Sequence, residues 1–382
     1  MPVPPQADSS LAAPATTASA SDTSRPPAPR LASLDVFRGF TMFWIVGGKG
    51  LVLALAALAP AVIADAAKYQ LNHSPWEGLR FYDLIWPSFM LMVGVSIPFS
   101  FAKRSQTQTR GRIMASAAKR ALVLFLLGSL RESLHLNAPM WIELSSALQP
   151  IALAYLVASL LAGSSVRVQA VVGASILVGY ALLLAWVPGP GLAAGCYAKD
   201  ANLVLLVDKA VLGRTLPDGW GTLLSALPAI STTMLGLLIG RLLMSAQPTK
   251  RKMAIIGGLG IGGIALGFAL TPVVPMIMKL WTTPYGLASA GWACLLFLVF
   301  YWIVDVQGWR RWSFPFVVIG TNAVAIYVGV SIVPFSRIAG IFTKPLAAGL
   351  GAGGAVLSAA AVVLLEWFVL WWMYRRKIFL RA

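Results

Sequence analysis

The chain alternates long apolar segments with short polar and basic ones over most of its length. Ten segments reach the roughly 20 apolar residues that an α-helix needs to cross a bilayer. They are 36–60, 82–102, 116–134, 142–163, 167–188, 222–244, 253–273, 283–304, 314–333 and 350–374. The stretch 334–348 is apolar but short, as in a re-entrant or interfacial helix. The pattern predicts an all-α polytopic membrane protein, a single bundle of about ten to eleven transmembrane helices.

The basic residues give these segments an orientation. With the N-terminus on the cytoplasmic side, two thirds of the 30 Lys and Arg residues fall on predicted cytoplasmic segments. An excess of Lys and Arg is typical of cytoplasmic loops. The same distribution accounts for most of the formal net charge of +17, so the charge does not indicate binding to nucleic acid. We expect a multi-pass protein in the lipid bilayer with a cytoplasmic N-terminus.

Composition agrees with the membrane assignment. The chain is 58% hydrophobic and 11% charged, whereas soluble domains carry about 25% charged residues. Residues 1–32 are rich in Ala, Pro, Ser and Thr and lack the apolar core of a signal peptide, which predicts a disordered cytoplasmic tail. Residues 33–382 then form one transmembrane domain. The two Cys and two His residues show no metal-ligand spacing, so we expect no metal site.

The segment before the second predicted helix carries the most unusual group of side chains. His73 lies in an Asn-His-Ser-Pro-Trp-Glu-Gly sequence at 72–78, on the predicted outer side, and Asp83 follows at the start of the helix. Imidazole is well suited to proton transfer near neutral pH, and a carboxylate at this position can cap the helix or orient the ring. The alternative is a solvated loop histidine beside an anchoring tryptophan. His135 has no such partner pattern and is interpreted as a loop residue.

Three polar residues fall inside predicted helices, where polar side chains are costly and often functional. Lys49 follows a Gly-Gly pair in the first helix, and Glu366 lies in the last. Asn322 sits in a Gly-Thr-Asn-Ala sequence, where it can serve a site or only a hydrogen bond between helices. Lys49 and Glu366 are candidates for lining a polar cavity.

Several sequence motifs, taken in order, resemble the heparan-alpha-glucosaminide N-acetyltransferase family, and more narrowly its bacterial members of unassigned substrate. They are Leu-Asp-Val-Phe-Arg-Gly at 34–39, His-Ser-Pro-Trp-Glu-Gly-Leu-Arg-Phe-Tyr-Asp at 73–83, Val-Gly-Val-Ser at 93–96, Leu-Gln-Pro at 148–150, Leu-Pro-Ala at 227–229, Lys-Leu-Trp-Thr at 279–282 and Gly-Thr-Asn-Ala at 320–323. The resemblance spans nearly all of the chain after residue 30. The first motif alone marks a wider superfamily of transmembrane acyltransferases, and the first two together are more specific.

The resemblance implies an acetyl-CoA-dependent N- or O-acetyltransferase of the bacterial inner membrane. Cytoplasmic acetyl-CoA would donate its acetyl group to an amino sugar or glycan on the outer side. The family's catalytic histidine corresponds to His73, and Asp83 is the residue expected to orient it. We expect Lys49 in the cavity wall and either Asn322 or a backbone N–H at the thioester oxygen. The CoA phosphates would meet basic residues of the inner side, with the choice open among Arg38, Lys103, Arg104 and Lys119. Relatives are often dimers, so a homodimer is one expected assembly.

Two departures from the family leave the acceptor open. Pro150 stands where many members carry an Arg, and Gly47, Gly48 and Lys49 stand around the position of an Asn in characterised animal relatives. Two other interpretations remain at this point. One is a transporter for a small polar solute, with Lys49 and Glu366 along its path, and the other is a catalytically inactive relative. Direct transfer and transfer through an acetyl-enzyme both remain open.

Overall fold

The computed structural model describes Met1 and residues 31–380 and is 74% helical. Nearly all of the predicted tail, 1–32, lies outside the described residues, so its predicted disorder stays a prediction. The α-helices are α1 (Ala32–Phe43), α2 (Lys49–Ala56), α3 (Ala61–Gln70), α4 (Ile85–Ser105), α5 (Arg110–Leu136), α6 (Leu148–Leu161), α7 (Val166–Trp186), α8 (Leu203–Leu212), α9 (Ala226–Met244), α10 (Thr249–Leu270), α11 (Thr283–Phe300), α12 (Phe314–Thr321), α13 (Ala323–Ile332), α14 (Phe335–Ala347) and α15 (Ala352–Arg375).

The described part of the chain contains eight helices that are long and apolar enough to cross a membrane. A ninth span forms if α12 and α13, which meet at Asn322 with a bend of 61°, are taken together. The polytopic all-α prediction is confirmed. The helix count is lower than predicted because α6 has 14 residues. At 1.5 Å per residue it covers about 21 Å, less than the roughly 30 Å of a hydrocarbon core.

The bundle is built around α4, α9 and α11. More than half of the residues in the most apolar part of each of these helices are buried, whereas less than a quarter are buried in α7, α10 and α15, which lie at the periphery. The largest apolar cluster includes Met90 of α4, Ile151 of α6, Met234 of α9 and Ile326 of α13. Exposed apolar side chains on the outer helices are expected for surfaces that face lipid.

Short irregular segments shape one end of the bundle. A π-helical turn, Trp44–Gly48, joins α1 to α2, and a 3₁₀ turn, Phe81–Leu84, begins the span that continues as α4. The long connection 187–225 contains a two-stranded hairpin, β1 (Tyr197–Ala198) with β2 (Ala201–Asn202), then α8 and a turn at Pro217–Gly219. We call this the His73 end of the bundle, because the indole of Trp76 donates a hydrogen bond to the carbonyl of Tyr197 (3.0 Å) and so joins the connection to the His73 segment.

The close packing of α4 on α9 depends on small residues. A Cβ atom at Gly94 would lie 2.0 Å from the carbonyl oxygen of Thr233, and one at Gly236 would lie 2.1 Å from that of Leu91. These obstacles are backbone atoms, which cannot turn away as a side chain can. The two helices therefore touch backbone to backbone at this crossing, as small residues permit in membrane bundles.

Gly94→Ala should lower the melting temperature of the purified protein, since a methyl group at this crossing must push α4 and α9 apart. Overpacking of this kind costs about 1–3 kcal/mol. Gly258→Ala on α10 is the matched control, because no atom lies within 4 Å of the added methyl group. Thermal unfolding in detergent, followed by size-exclusion chromatography, measures both. Equal melting temperatures for the two variants would contradict the close packing.

Candidate active site

His73 is paired with Asp83 at the His73 end of the bundle. The imidazole Nδ1 lies 2.7 Å from Oδ1 of Asp83, whose side chain has no exposed surface, while the side chain of His73 is 36% exposed. An adjacent carboxylate favours the tautomer that carries its proton on Nδ1. Among the described residues, none hydrogen-bonds to Nε2. With its proton held on Nδ1, the imidazole keeps the lone pair of Nε2 available, which is the state a general base requires.

Asp83 also organises the turn that carries His73. Its Oδ2 accepts hydrogen bonds from the backbone N–H of Arg80 (2.9 Å) and of Ser74 (3.3 Å). Arg80 in turn donates from Nη1 to the carbonyl of His73 (3.1 Å). The hydroxyl of Tyr285 donates to the carbonyl of Asp83 (2.7 Å). One carboxylate therefore caps the start of the helix and orients the imidazole.

Two aromatic side chains flank the imidazole, and a lysine contacts one of them. The ring of Tyr82 lies 4.8 Å from that of His73 at 63°, and the ring of Trp220 lies 5.6 Å away at 85°. The ammonium group of Lys49 lies 4.5 Å from the centroid of the Tyr82 ring. Lys49, predicted from its position inside the first helix, therefore reaches the surroundings of His73. Tyr82 and Trp220 provide aromatic walls, each at a steep angle to the imidazole.

The segment that carries His73 is fixed to the connection between α10 and α11. The N–H of Gly78 donates to the carbonyl of Met276 (2.8 Å), and Glu77 forms an isolated antiparallel bridge with Ile277. The hydroxyl of Ser74 donates to the carbonyl of Glu77 (2.5 Å). These contacts fix the loop, so the position of His73 depends on the connection between α10 and α11 as well as on α4.

Arg38 lies at the opposite end of the bundle. It lines a cavity of about 400 Å³ together with Lys103, Ser96 and Ser100. Nη1 of Arg38 lies 3.6 Å from Oδ1 of Asp35, which also lines the cavity. The cavity meets α4 between Ser96 and Lys103, whereas the His73 segment lies before the start of that helix at Ile85, a separation of about 16–27 Å along the helix. The structure therefore does not bring Arg38 to His73, and the two mark separate ends of the molecule.

Asn322 is engaged by a different part of the chain. Its Nδ2 donates to the carbonyl of Ile378 (3.0 Å), and its Oδ1 accepts from the N–H of Leu380 (3.0 Å). Both ends of the amide are thus occupied by the backbone that follows α15. Asn322 lies where α12 and α13 separate, and its hydrogen bonds join that break to the segment 378–380. The predicted contact of Asn322 with a thioester oxygen stays a prediction.

Glu366 is buried without a described partner. It is 4% exposed, and its Oε2 has no hydrogen bond to any described residue. A Cβ atom at Gly47 would lie 3.0 Å from that oxygen, so α15 presents Glu366 to the π-helical turn just before Lys49. Because Gly47 has no side chain, it leaves room for the carboxyl group.

Comparison with known proteins finds one informative similarity. The chain is 24% identical over 372 residues to human heparan-alpha-glucosaminide N-acetyltransferase. The alignment covers 79% of this chain and 52% of the human protein, so the chain spans about half the length of the curated relative it matches. No protein-family model matches the chain. The level of identity indicates a distant relationship to that enzyme.

Sequence reasoning missed several residues beside His73. Tyr285 and Trp220 are 202 and about 150 positions from the residues they contact, and neither belongs to a local pattern with His73. Lys279 was noticed only as part of a matching motif, yet its ammonium group lies 5.8 Å from the centroid of the Trp220 ring. The sequence offers one signal for this region, the length of the connection 187–225. Most connections between helices are far shorter, and long ones often have a function.

Asp83→Ala should lower the melting temperature by several degrees, because it removes the acceptor for two backbone N–H groups and for the imidazole. Such buried hydrogen bonds to a charged group contribute about 1.5–3 kcal/mol each. Asp83→Asn keeps one acceptor oxygen and should lose less. Asp65→Ala is the control, since its side chain is 74% exposed and pairs only with Lys68 on the surface. Equal stability of Asp83→Ala and Asp65→Ala would contradict the organising role of Asp83.

Proposed function

We propose that this protein is a membrane-embedded acetyltransferase. It moves an acetyl group from acetyl-CoA on the cytoplasmic side of a bacterial inner membrane to the amine of an amino sugar or glycan on the outer side. The observation that carries the proposal is the pair formed by His73 and the buried Asp83 at 2.7 Å. The distant similarity to human heparan-alpha-glucosaminide N-acetyltransferase supports this reaction class.

The pair supplies what acyl transfer to an amine requires. As the acceptor nitrogen attacks the thioester carbonyl carbon, Nε2 of His73 takes a proton from that nitrogen. The carbon–sulfur bond then breaks, and the sulfur of CoA leaves as a thiol after receiving the proton from the imidazolium. The carboxylate of Asp83 stabilises the positive imidazole ring. In a variant of the same chemistry, Nε2 attacks the carbonyl carbon first, the carbon–sulfur bond breaks and CoA leaves as the thiolate. The acceptor amine then takes the acetyl group from Nε2 and loses its proton to that thiolate.

The donor would enter at the other end of the bundle. The cavity is lined by two cations, Arg38 and Lys103, and one carboxylate, Asp35, which pairs with Arg38, and the excess of positive charge suits the phosphates of CoA. Arg38 and Lys49 are eleven residues apart on the first span, a rise of about 16 Å if helical. Lys49 in turn lies 4.5 Å from the centroid of the Tyr82 ring. A long, thin pantetheine arm following this span would bring the thioester towards His73 while the charged nucleotide stays at the cavity.

A transporter for a small polar solute is the second candidate. The observation that favours it is Glu366, which is 4% exposed and has an unpartnered oxygen in the described structure. Ionisable groups inside a bilayer often mark a translocation path. In that case His73 would have no role in chemistry, and the protein would neither bind nor cleave acetyl-CoA.

Calorimetry with acetyl-CoA separates these functions. We expect the wild type and His73→Ala to bind the donor alike, because His73 contacts the acceptor rather than the nucleotide. Arg38→Ala should bind it at least tenfold more weakly, since it loses a charge-assisted contact to phosphate worth about 1.5–3 kcal/mol. Slow release of free CoA thiol should occur in the wild type and be lost in His73→Ala. Absence of binding in every variant would exclude the acetyltransferase.

In the acetylation of an added amine, Asp83→Asn should be slower by about 10⁴-fold. The Asn amide stabilises the tautomer with its proton on Nε2, so the base is lost while the contact is kept. The rate of transfer to glucosamine, measured beside that of His73→Ala, gives the comparison. A wild-type rate in Asp83→Asn would contradict the role assigned to the pair.

The orientation can be tested with the two native cysteines. Cys196 lies in the connection 187–225 and is partly exposed, whereas Cys294 is buried inside α11. A membrane-impermeant maleimide should label wild-type protein in intact spheroplasts and fail to label Cys196→Ser. In a Cys196→Ser background, Gln108→Cys between α4 and α5 should react only after the membrane is opened. The reverse pattern would overturn the outer location of His73.

A further inference from the structure

The turn Pro217–Gly219 and Trp220, which follows it, form one side of the space around His73. The indole of Trp220 stands at 85° to the imidazole, with the ring centroids 5.6 Å apart. Trp220 is partly buried against the apolar core, so its ring is fixed on that side. It comes from a connection that carries neither His73 nor Asp83, and the role proposed above for that pair leaves Trp220 without a function.

Charged side chains hold this turn in a strained conformation. Asp218 adopts a left-handed backbone conformation (φ 58°), which is unfavourable for a residue with a side chain. Its carboxylate pairs with Lys199 at 3.2 Å, and its carbonyl accepts a hydrogen bond from Nζ of Lys279 (2.9 Å). The hydrogen bond from Lys199 lowers the pKa of the Asp218 carboxyl group. Backbone strain that persists under such restraint is typical of functional sites.

Lys279 is the unusual member of this group. It is 7% exposed, and burial lowers the pKa of its ammonium group. Burying a cation is costly unless it is well paired. Here the ammonium group donates a hydrogen bond to the carbonyl of Asp218 in the turn, and it lies 5.8 Å from the centroid of the Trp220 ring. Through these two contacts, Lys279 fixes the position of Trp220 relative to the turn.

The base of the turn is closed by close packing and by a second buried acid. A Cβ atom at Gly219 (φ 73°) would lie 2.8 Å from the Trp76 ring and from the carbonyl of Lys199. Beyond Trp220, the carboxylate of Asp208 accepts hydrogen bonds from the N–H groups of Thr222 (2.8 Å) and Leu223 (3.0 Å). Trp220 is therefore held from both sides along the chain.

We propose that Trp220 is the sugar-recognition platform of the acceptor site and that Lys279 is the residue that positions it. This inference rests on the proposed acetyltransferase function and adds that the enzyme recognises the sugar ring of the acceptor. A sugar ring presents C–H groups on its faces, which pack on an aromatic ring through apolar contact. A sugar amine that approaches Nε2 of His73 lies next to a ring only 5.6 Å away, so Trp220 distinguishes a sugar from a simple amine.

The test compares two acceptors with the full-length protein and acetyl-CoA as donor. Glucosamine carries an amine on a sugar ring, and ethanolamine carries an amine and a hydroxyl without one. Trp220→Ala should raise the KM for glucosamine about tenfold with little change in kcat, which corresponds to the loss of one aromatic contact. The kcat/KM for glucosamine should therefore fall several-fold further than that for ethanolamine, because ethanolamine has no sugar ring to pack on Trp220. Trp220→Phe should keep most of the activity with glucosamine.

Two further variants test the support of the platform. Lys279→Met should raise the KM for glucosamine in the same direction as Trp220→Ala, and Lys279→Arg should recover part of the loss because it keeps the cation. Trp186→Ala is the matched control, since this tryptophan at the end of α7 is 72% exposed and has no contact with the site. It should behave as wild type with both amines.

Each outcome decides the matter. If Trp220→Ala lowers kcat/KM equally for glucosamine and ethanolamine, Trp220 supports His73 rather than a sugar. If the kinetics with both amines are unchanged, Trp220 has no role in the site. Either result overturns this inference while the acetyltransferase stands. A wild-type protein that acetylates neither amine and releases no CoA thiol would instead overturn the proposed function, and the platform with it.

Discussion

The buried carboxylate of Asp83 connects the fold to the chemistry. Its oxygens accept hydrogen bonds from two backbone N–H groups and lie against the imidazole of His73, while its own carbonyl is held by Tyr285 of α11. A carboxylate without exposed surface is tolerated only when such partners replace water. The start of α4, the 73–83 turn and the orientation of the imidazole therefore all depend on this one carboxylate. The packing of α4 against α9 extends this dependence into the centre of the bundle.

Distance is the second constraint on the molecule. The cavity beside Arg38 and the imidazole of His73 lie towards opposite ends of α4, about 16–27 Å apart along that helix. A reaction that uses both ends needs a donor long enough to keep its charge at one and its reactive carbon at the other. The first span suits this division, because it carries Arg38 near its beginning and Lys49 beside Tyr82. The π-helical turn lies between the two.

The sequence predicted the parts of the fold that depend on local pattern. Apolar length located eight spans closely, and the spacing of His73 and Asp83 across a helix start suggested a contact that the structure contains at 2.7 Å. The pattern overestimated α6, because apolar residues before Leu148 form loop rather than helix. Trp220 and Lys279 could not be found in this way. Their approach to His73 depends on how a long connection folds over the bundle, and periodicity carries no information on such distant pairs.

Asn322 has a consequence for the order in which the molecule can form. It lies at the 61° break between α12 and α13, where an interrupted helix leaves backbone groups to be satisfied. Its amide bonds to the backbone of Ile378 and Leu380, which are 56 and 58 positions further along the chain. When the bent span leaves the ribosome and enters the membrane, Ile378 and Leu380 have not yet been synthesised. The span must wait in an unfinished state until α15 has crossed the bilayer, so this corner of the bundle closes late in biosynthesis.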